Sequence, residues 1–134
     1  MDLQRFVEAQ EGVYEESLAE ITAGNKRSHW MWFIFPQEAG LGRSAMSERY
    51  AIQTPEEADA FLAHPILGPR LVTISRALLQ HRGRTLTEIL GTPDDVKLLS
   101  CARLFSEVRK SDPVFEELLR AFSNPGGGGG EFRK

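Results

Sequence analysis

The sequence has a single cysteine, Cys101, among its 134 residues. One cysteine excludes an intramolecular disulfide and a multi-cysteine metal site. Long apolar runs are also missing, because the longest, residues 30–35, has six residues. A membrane-spanning helix needs about 20 apolar residues, so the sequence predicts no membrane span.

An excess of basic residues is absent as well, since the formal net charge is −3 and the sequence pI is about 5.6. Proteins that bind nucleic acid usually carry a concentrated basic face, so a nucleic-acid partner is not expected. The N-terminus (MDLQR) shows no basic stretch followed by an apolar one, as a signal peptide would. These features predict a cytoplasmic protein.

Alternation of apolar and polar residues, the pattern of β-strands, is not found, whereas helical spacing is frequent. Apolar residues three and four positions apart in residues 3–21 predict two short helices or one helix bent at Gly12, ending at Gly24 and Asn25. A polar residue followed by proline announces four later helix starts. These pairs are Thr54-Pro55, His64-Pro65, Thr92-Pro93 and Asp112-Pro113.

The segment after Pro93 is expected to form a central helix covered on more than one side. Val96, Leu99, Ala102 and Phe105 mark one apolar face, beside which Cys101 is interpreted as a small core residue. The sequence therefore predicts an all-α fold, a compact multi-helical bundle without a substantial β-sheet, as one domain over residues 1–123. Five consecutive glycines predict a flexible tail over residues 124–134.

The most unusual feature is the segment SHWMWFIFPQ, residues 28–37, which holds four of the twelve aromatic residues. Because consecutive residues are apolar, the segment must be covered on nearly every side. Basic and hydrogen-bonding side chains flank it, and an apolar wall with such a collar suits an anionic ligand that carries a ring. The alternative is a core segment whose flanking charges mark its exits to solvent.

The ligand hypothesis assigns roles to particular residues. The basic groups would hold the anion, a tryptophan would form the apolar wall and Gln37 would orient the ligand. His29 and Glu48 are the candidates for proton transfer or charge stabilisation if the site is catalytic. The predicted ligand-binding residues are Lys26, Arg27, Trp30, Trp32, Gln37, Arg43 and Arg49.

Several segments, covering most of the chain up to about residue 122, carry a family resemblance. They are LQRFVEAQ (3–10), KRSHWMWFIFPQ (26–37), GLG (40–42), RYAI (49–52), HPILGPRL (64–71) and DDVKLLSCARLF (94–105). With them the sequence is identified as a member of the bacterial domain of unknown function 1810 family. The resemblance implies a small multi-helical fold and no established activity.

Some members of that family carry the label calpastatin. A long protease-wrapping inhibitor is extended, repetitive and poor in aromatics. This sequence instead predicts a compact domain, has no internal repeat and contains two tryptophans, so the label does not fit it. A shorter likeness is Ser47-Glu48-Arg49-Tyr50, which is similar to the Ser-Glu-x-Tyr element of the NADAR enzymes, with Arg49 in place of their usual histidine. That likeness implies cleavage of N-glycosidic bonds in ADP-ribose-like compounds with Glu48 catalytic. A surface glutamate paired with a neighbouring arginine is the alternative.

The histidines give no metal-binding pattern. His64 and His81 lie at opposite ends of one predicted helix, about 25 Å apart at 1.5 Å per residue, so they cannot share an ion. No metal and no cofactor is therefore predicted. The sequence leaves open whether the protein is an enzyme. The second hypothesis is a non-catalytic helical module that binds a protein partner, which the sequence does not identify.

Overall fold

The computed structural model describes residues 1–122, over which the chain forms nine helices. Outside the helices these residues form one isolated β-bridge, between Glu38 and Ile52. The predicted all-α fold is therefore confirmed, whereas the predicted tail, residues 124–134, lies outside the described residues. The helices are α1 (Gln4–Gln10), α2 (Tyr14–Thr22), α3 (Met31–Ile34), α4 (Ala45–Arg49), α5 (Pro55–Ala63), α6 (Leu67–Leu79), α7 (Leu86–Leu90), α8 (Asp94–Ser106) and α9 (Val114–Ala121).

Glycines separate and end the first two helices at the predicted positions. Gly12, between α1 and α2, has φ of +73°, and Gly24, just after α2, has φ of +76°. Side chains other than glycine rarely adopt this left-handed conformation. The amide of Gly24 donates to the carbonyl of Ile21 at 2.9 Å, which closes the last turn of α2. The alternative of two short helices is the one that the structure adopts.

At three of the four predicted helix starts the side chain of the residue before proline accepts hydrogen bonds from amides at the beginning of the helix. At α6 this is His64, whose Nδ1 accepts from the amides of Ile66 and Leu67 at 3.1 and 3.3 Å. Thr54 Oγ1 accepts a hydrogen bond from the amide of Glu57 at 3.1 Å at the start of α5. Asp112 Oδ1 accepts from the amide of Val114 at 2.9 Å at the start of α9. These bonds satisfy first-turn amides that have no partner within the helix. The pair of a polar residue and proline therefore correctly predicts the starts of α5, α6 and α9.

At α8 the helix starts where it was expected, but the threonine has another role. Thr92 Oγ1 donates to the Asp95 carboxylate at 3.0 Å instead of capping the helix, and Pro93 occupies the N-cap position. Asp95 is only 5% exposed. Asp95 therefore occupies the inward side of the first turn of α8, and the next residue, Val96, lies on the outward side and is 57% exposed. The prediction that Val96 faces the core was wrong.

Aromatic side chains connect helices that are far apart in the sequence. The Phe61 ring of α5 lies 5.1 Å from Phe6 of α1 and 5.3 Å from Phe105 of α8, measured between centroids. Phe105 in turn lies 5.8 Å from Phe115 of α9. All four side chains are fully buried. Such pairs stabilise a core beyond the area they bury, so this series joins the N-terminal helix to the C-terminal pair.

Cys101 of α8 belongs to the same core, as predicted. It is 1% exposed, and burial raises the pKa of its thiol. Since the thiolate is the reactive form, Cys101 behaves as a small apolar residue in the folded protein.

A buried ion pair ties α1 to α5. Arg5 Nη1 donates to Glu57 Oε2 at 2.9 Å, and Arg5 Nη2 donates to the carbonyl of Ala51 at 2.7 Å. The other Glu57 oxygen accepts from the amide of Gln53 at 2.8 Å. Glu57 is only 3% exposed. A buried charge is costly unless it is hydrogen-bonded, and these donors supply the hydrogen bonds to its carboxylate.

Gln10, the last residue of α1, holds the aromatic segment through its side-chain amide. Gln10 Nε2 donates to the carbonyl of Phe33 at 2.9 Å, and its Oε1 accepts from Arg70 Nη1 at 3.1 Å. Gln10 is 2% exposed. This amide fixes the aromatic segment against α1 and α6.

Among residues 1–122 the longest helices have 13 residues. None of them combines the length and the apolar character that crossing a membrane requires.

Candidate functional site

The apolar part of the aromatic segment, residues 30–36, is buried, as expected, except at Trp32. Trp30, Ile34 and Phe35 are at most 2% exposed and belong to the core. Trp32 of α3 is half-buried, with part of its ring system open to solvent. Local sequence does not distinguish the two tryptophans, because both sit among apolar neighbours. Trp32 is therefore the tryptophan of this segment that a ligand can reach.

Glu20 of α2 holds the start of the segment. Its Oε1 accepts hydrogen bonds from the amides of Arg27 and Ser28 at 2.9 and 3.1 Å and from the indole Nε1 of Trp30 at 2.9 Å. Its Oε2 accepts from the Ser28 hydroxyl at 2.6 Å. Burial raises the pKa of Glu20, but these bonds favour the charged form and lower the pKa from 4.5 to about 2. The sequence around Glu20 contains no local signal for this role.

Lys26 is fixed by partners on several sides. Its Nζ donates to the carbonyl of Ser28 at 2.6 Å and lies 2.9 Å from Asp94 Oδ2, at the start of α8. The same ammonium lies 4.9 Å from the centre of the Trp30 ring, and its side chain is 7% exposed. Lys26 thus joins the aromatic segment to α8.

A hollow of about 360 Å³ lies between the aromatic segment and the start of α8, and we call it the Trp32 hollow. Of the predicted site residues it brings together Lys26, Arg27, His29 and Trp32. Its volume lies within the usual range for small-molecule sites. Its complete lining is Lys26, Arg27, Ser28, His29, Met31, Trp32, Leu90, Thr92, Pro93, Asp94 and Lys97.

Three side chains of the Trp32 hollow offer donors that are not committed elsewhere. The side chains of Arg27 and His29 are exposed and form no hydrogen bond or ion pair within residues 1–122. Lys97 Nζ is only loosely engaged, 3.9 Å from Asp94 Oδ1 and 5.8 Å from the centre of the Trp32 ring. Sequence analysis missed Lys97, although its spacing of three residues from Asp94 in a helix places both on one face.

The other predicted site residues do not border this hollow. Trp30 is fully buried and its indole nitrogen is bonded to Glu20, so its side chain is closed to a ligand. Gln37 borders a crevice of about 20 Å³ that shares Trp32 and Lys97 with the hollow. Arg43 and Glu48 are exposed and lie outside the hollow lining. The predicted convergence of these residues into one site is therefore not what the structure adopts.

Arg49 borders a different hollow, of about 410 Å³, together with Arg5 and Glu57. Its Nε donates to the Tyr50 hydroxyl at 3.2 Å. Arg5 is already bonded to Glu57 and to backbone carbonyls, and the carboxylates of Asp2 and Glu57 both border this hollow, where they would repel an anion. It is a weaker anion site than the Trp32 hollow.

A third hollow, of about 370 Å³, has the opposite electrostatic character. Glu38, Asp59 and Glu107 border it, and its lining has no basic side chain. Three carboxylates repel an anion, so this hollow does not fit the predicted ligand class.

Within residues 1–122 no group of three or more His, Cys, Asp or Glu side chains is arranged to hold a metal ion. The Trp32 hollow presents several kinds of chemical group from its own side chains. These are cationic donors, an indole face, the hydroxyls of Ser28 and Thr92, and one carboxylate.

Comparison with known proteins places the whole fold in a family. The crystal structure of the conserved hypothetical protein Rv1873 from Mycobacterium tuberculosis matches with a TM-score of 0.89 and 46% sequence identity. The match covers 92% of this chain and 89% of the other. No curated protein matches the chain. The family model described as protein of unknown function (DUF1810) matches residues 1–128, and the chain belongs to that family.

Proposed function

We propose that this protein binds a small anionic ligand that carries a ring, of the nucleotide type, in the Trp32 hollow. The observation that carries the proposal is the convergence of Arg27, His29 and Lys97 on one half-buried indole around a space of about 360 Å³. The ring of the ligand would stack on Trp32, and its anionic group would contact Arg27 and Lys97.

The charge balance of the hollow supports an anion. Lys26, Arg27 and Lys97 border it against a single carboxylate, that of Asp94. Arginine and lysine recognise phosphates and carboxylates through charge-assisted hydrogen bonds, which are roughly twice as strong as neutral ones. Partial burial strengthens the interaction with Lys97 further, because its side chain is 24% exposed and neighbouring side chains exclude part of the water.

The indole supports the ring part of the ligand. Aromatic side chains stack on nucleobases, and a base stacked on an aromatic residue gains about 1–3 kcal/mol. Trp32 has this capacity because the packing of α3 holds it in place while part of its ring remains open.

The proposal is for binding and does not include hydrolysis. Glu48, the carboxylate suggested for glycosidic cleavage, lies outside the lining of the hollow. Asp94, the carboxylate that does border it, is engaged by Lys26 at 2.9 Å. His29, the one histidine in the lining, is exposed and its side chain has no partner among residues 1–122. A histidine alone makes a contact and not a catalytic pair.

Calorimetric titration with AMP, ADP-ribose and NAD tests the proposal, with uncharged adenosine as the comparison. We expect at least one of the three anions to bind and adenosine to bind at least tenfold more weakly. Lys97→Met should weaken anion binding by about tenfold, because one hydrogen bond to a charged group is lost.

Arg103→Met is the matched control, since Arg103 is an exposed cation of the same helix that does not border the hollow. It should leave the affinity unchanged within about twofold, the size of effect expected of a distant screened charge. Binding that Lys97→Met and Arg103→Met reduce equally, or no binding of any of the three anions, would contradict the proposal.

A further inference from the structure

Asp94 is placed between two ammonium groups at the edge of the Trp32 hollow. Its Oδ2 lies 2.9 Å from Lys26 Nζ, and its Oδ1 lies 3.9 Å from Lys97 Nζ. Each carboxylate oxygen thus faces one lysine. The three side chains are 18%, 7% and 24% exposed, in the order Asp94, Lys26 and Lys97, so solvent screens them only partly.

The position of Asp94 in α8 further stabilises its negative charge beside the two lysines. It is the first residue of α8, a helix of 13 residues, where the helix dipole favours a negative group. The carboxylate therefore meets two lysines and the positive end of a helix, which are the groups that would attract an anionic ligand.

Lys26 depends on this carboxylate. Its ammonium is almost inaccessible to water, and Asp94 is its one anionic partner within residues 1–122. Removing one partner of a buried ion pair is strongly destabilising, because the other charge stays buried without compensation. An anion placed in the hollow would restore the missing negative charge.

We propose that Asp94 is a resident counter-ion that competes with an anionic ligand for Lys26 and Lys97. Resting on the proposed function, this inference adds how affinity at that site is set. The ligand must replace a carboxylate that the fold already supplies, so its affinity is lower than the cations alone would give. Neutralising Asp94 lowers the stability of the folded protein and raises its affinity for anions.

The first test needs no ligand identity and uses inorganic phosphate. The melting temperatures of the wild type and Asp94→Asn are compared in sodium phosphate and in sodium chloride at equal pH and ionic strength. We expect Asp94→Asn to melt roughly 5 °C or more below the wild type in chloride. Phosphate should recover at least half of that loss.

Glu116→Gln is the matched control, because Glu116 is 64% exposed and, within residues 1–122, forms its ion pair with Arg120 of α9, away from the hollow. Phosphate raises the stability of most proteins by exclusion from their surface, and this general effect should be equal in the wild type and Glu116→Gln. If Asp94→Asn is unfolded in chloride, recovery of its helical circular dichroism in phosphate is the equivalent result. An equal loss in both salts, or an unfolded protein in both, overturns the inference.

The second test measures the affinity for AMP. Asp94→Asn should bind AMP about tenfold more tightly than the wild type, the change expected when a competing charged hydrogen bond is removed. In a Lys97→Met background the same substitution should tighten binding less than threefold. If Asp94 lowered the affinity only through its long-range charge and not by pairing with Lys97, Asp94→Asn would tighten AMP binding equally in the wild type and in Lys97→Met.

The two proposals fail in different ways. If the wild type binds AMP and Asp94→Asn binds it no more tightly, the counter-ion inference is overturned and the proposed function stands. If none of AMP, ADP-ribose and NAD binds either protein while phosphate still rescues Asp94→Asn, the proposed function fails and the counter-ion role is supported.

Discussion

The indole Nε1 of Trp30 donates a 2.9 Å hydrogen bond to Glu20, a carboxylate ten positions earlier on α2. This bond explains how a fully buried tryptophan satisfies its polar atom. It also commits Trp30 to the core and leaves Trp32 as the accessible indole of the segment. The Trp32 hollow therefore depends on a residue that does not border it.

Replacing Glu20 by glutamine should destabilise the protein by about 2 kcal/mol at pH 7, because the charged acceptor of four hydrogen bonds becomes neutral. The pKa of Glu20 is lowered on folding, so its charge stabilises the protein fully above the unfolded value of 4.5. This contribution is lost as the pH falls towards about 2. Urea denaturation of both proteins at pH 7, 4 and 3 measures the difference in unfolding free energy.

Glu16→Gln is the control for Glu20→Gln, since Glu16 is exposed and its one side-chain hydrogen bond within residues 1–122 is a 3.5 Å contact with Ser28. It should change the unfolding free energy by less than about 0.5 kcal/mol. A wild-type advantage over Glu20→Gln that stays constant from pH 7 to pH 3 would show that the charge of Glu20 is not what stabilises the segment.

The two tryptophans should separate stability from ligand binding. Trp30→Leu should lower the unfolding free energy by about 3 kcal/mol, because it leaves a cavity and removes the donor to Glu20. Trp32→Leu should cost only about 1 kcal/mol, since Trp32 is half-buried. Binding of AMP should show the opposite order, with Trp32→Leu the weaker binder. If Trp32→Leu binds AMP as the wild type does, stacking on Trp32 is not part of the site.

The parts of the fold that sequence analysis predicted are those set by local chemistry. Gly12 breaks the first helical segment because of its backbone freedom. Thr54 starts α5 through a hydrogen bond to the amide of Glu57, only three residues further along the chain. The short helices α3, α4 and α7 escaped prediction because four or five residues are too few to show a helical period. In α7 a usable signal did exist, the capping box of Thr85 and Glu88.

The same distinction applies to the site. Arg27, His29 and Trp32 were predicted together because they are neighbours in the sequence, and they also share the Trp32 hollow. Asp94 and Lys97 come from a helix more than 60 positions away, and only the packing of α8 brings them to the hollow. A single sequence contains no local signal for such a contact.

A tight contact between α5 and α6 makes Gly68 sensitive to a single methyl group. A Cβ at Gly68 would overlap the carbonyl oxygen of Leu62, which is backbone and cannot turn aside. Gly68→Ala should therefore lower the unfolding free energy by about 2–3 kcal/mol. Gly83→Ala is the control, because a Cβ there meets no atom within 4 Å. Thermal denaturation of the two variants measures the contrast, and equal melting temperatures would contradict the close approach of the two helices.

The buried pair of Arg5 and Glu57 should behave as one unit in a double-mutant cycle. Arg5→Met leaves the Glu57 carboxylate, 3% exposed, without its cation and should cost about 3–5 kcal/mol. Glu57→Gln removes the opposite charge and should cost about 3 kcal/mol. In the double variant no uncompensated charge remains, so it should be at least 1 kcal/mol more stable than the sum predicts, roughly the coupling expected of residues in contact.

Urea denaturation of the four proteins in that cycle gives the coupling energy, and Arg120 with Glu116 provides the reference. That pair is exposed by 70% and 64%, with its atoms 3.5 Å apart, so its coupling should be below about 0.5 kcal/mol. Water screens the exposed pair much more than the buried one, whose side chains are 11% and 4% exposed, which is why the two cycles should differ. A coupling for Arg5 and Glu57 no larger than that of the surface pair would mean that the ion pair does not tie α1 to α5.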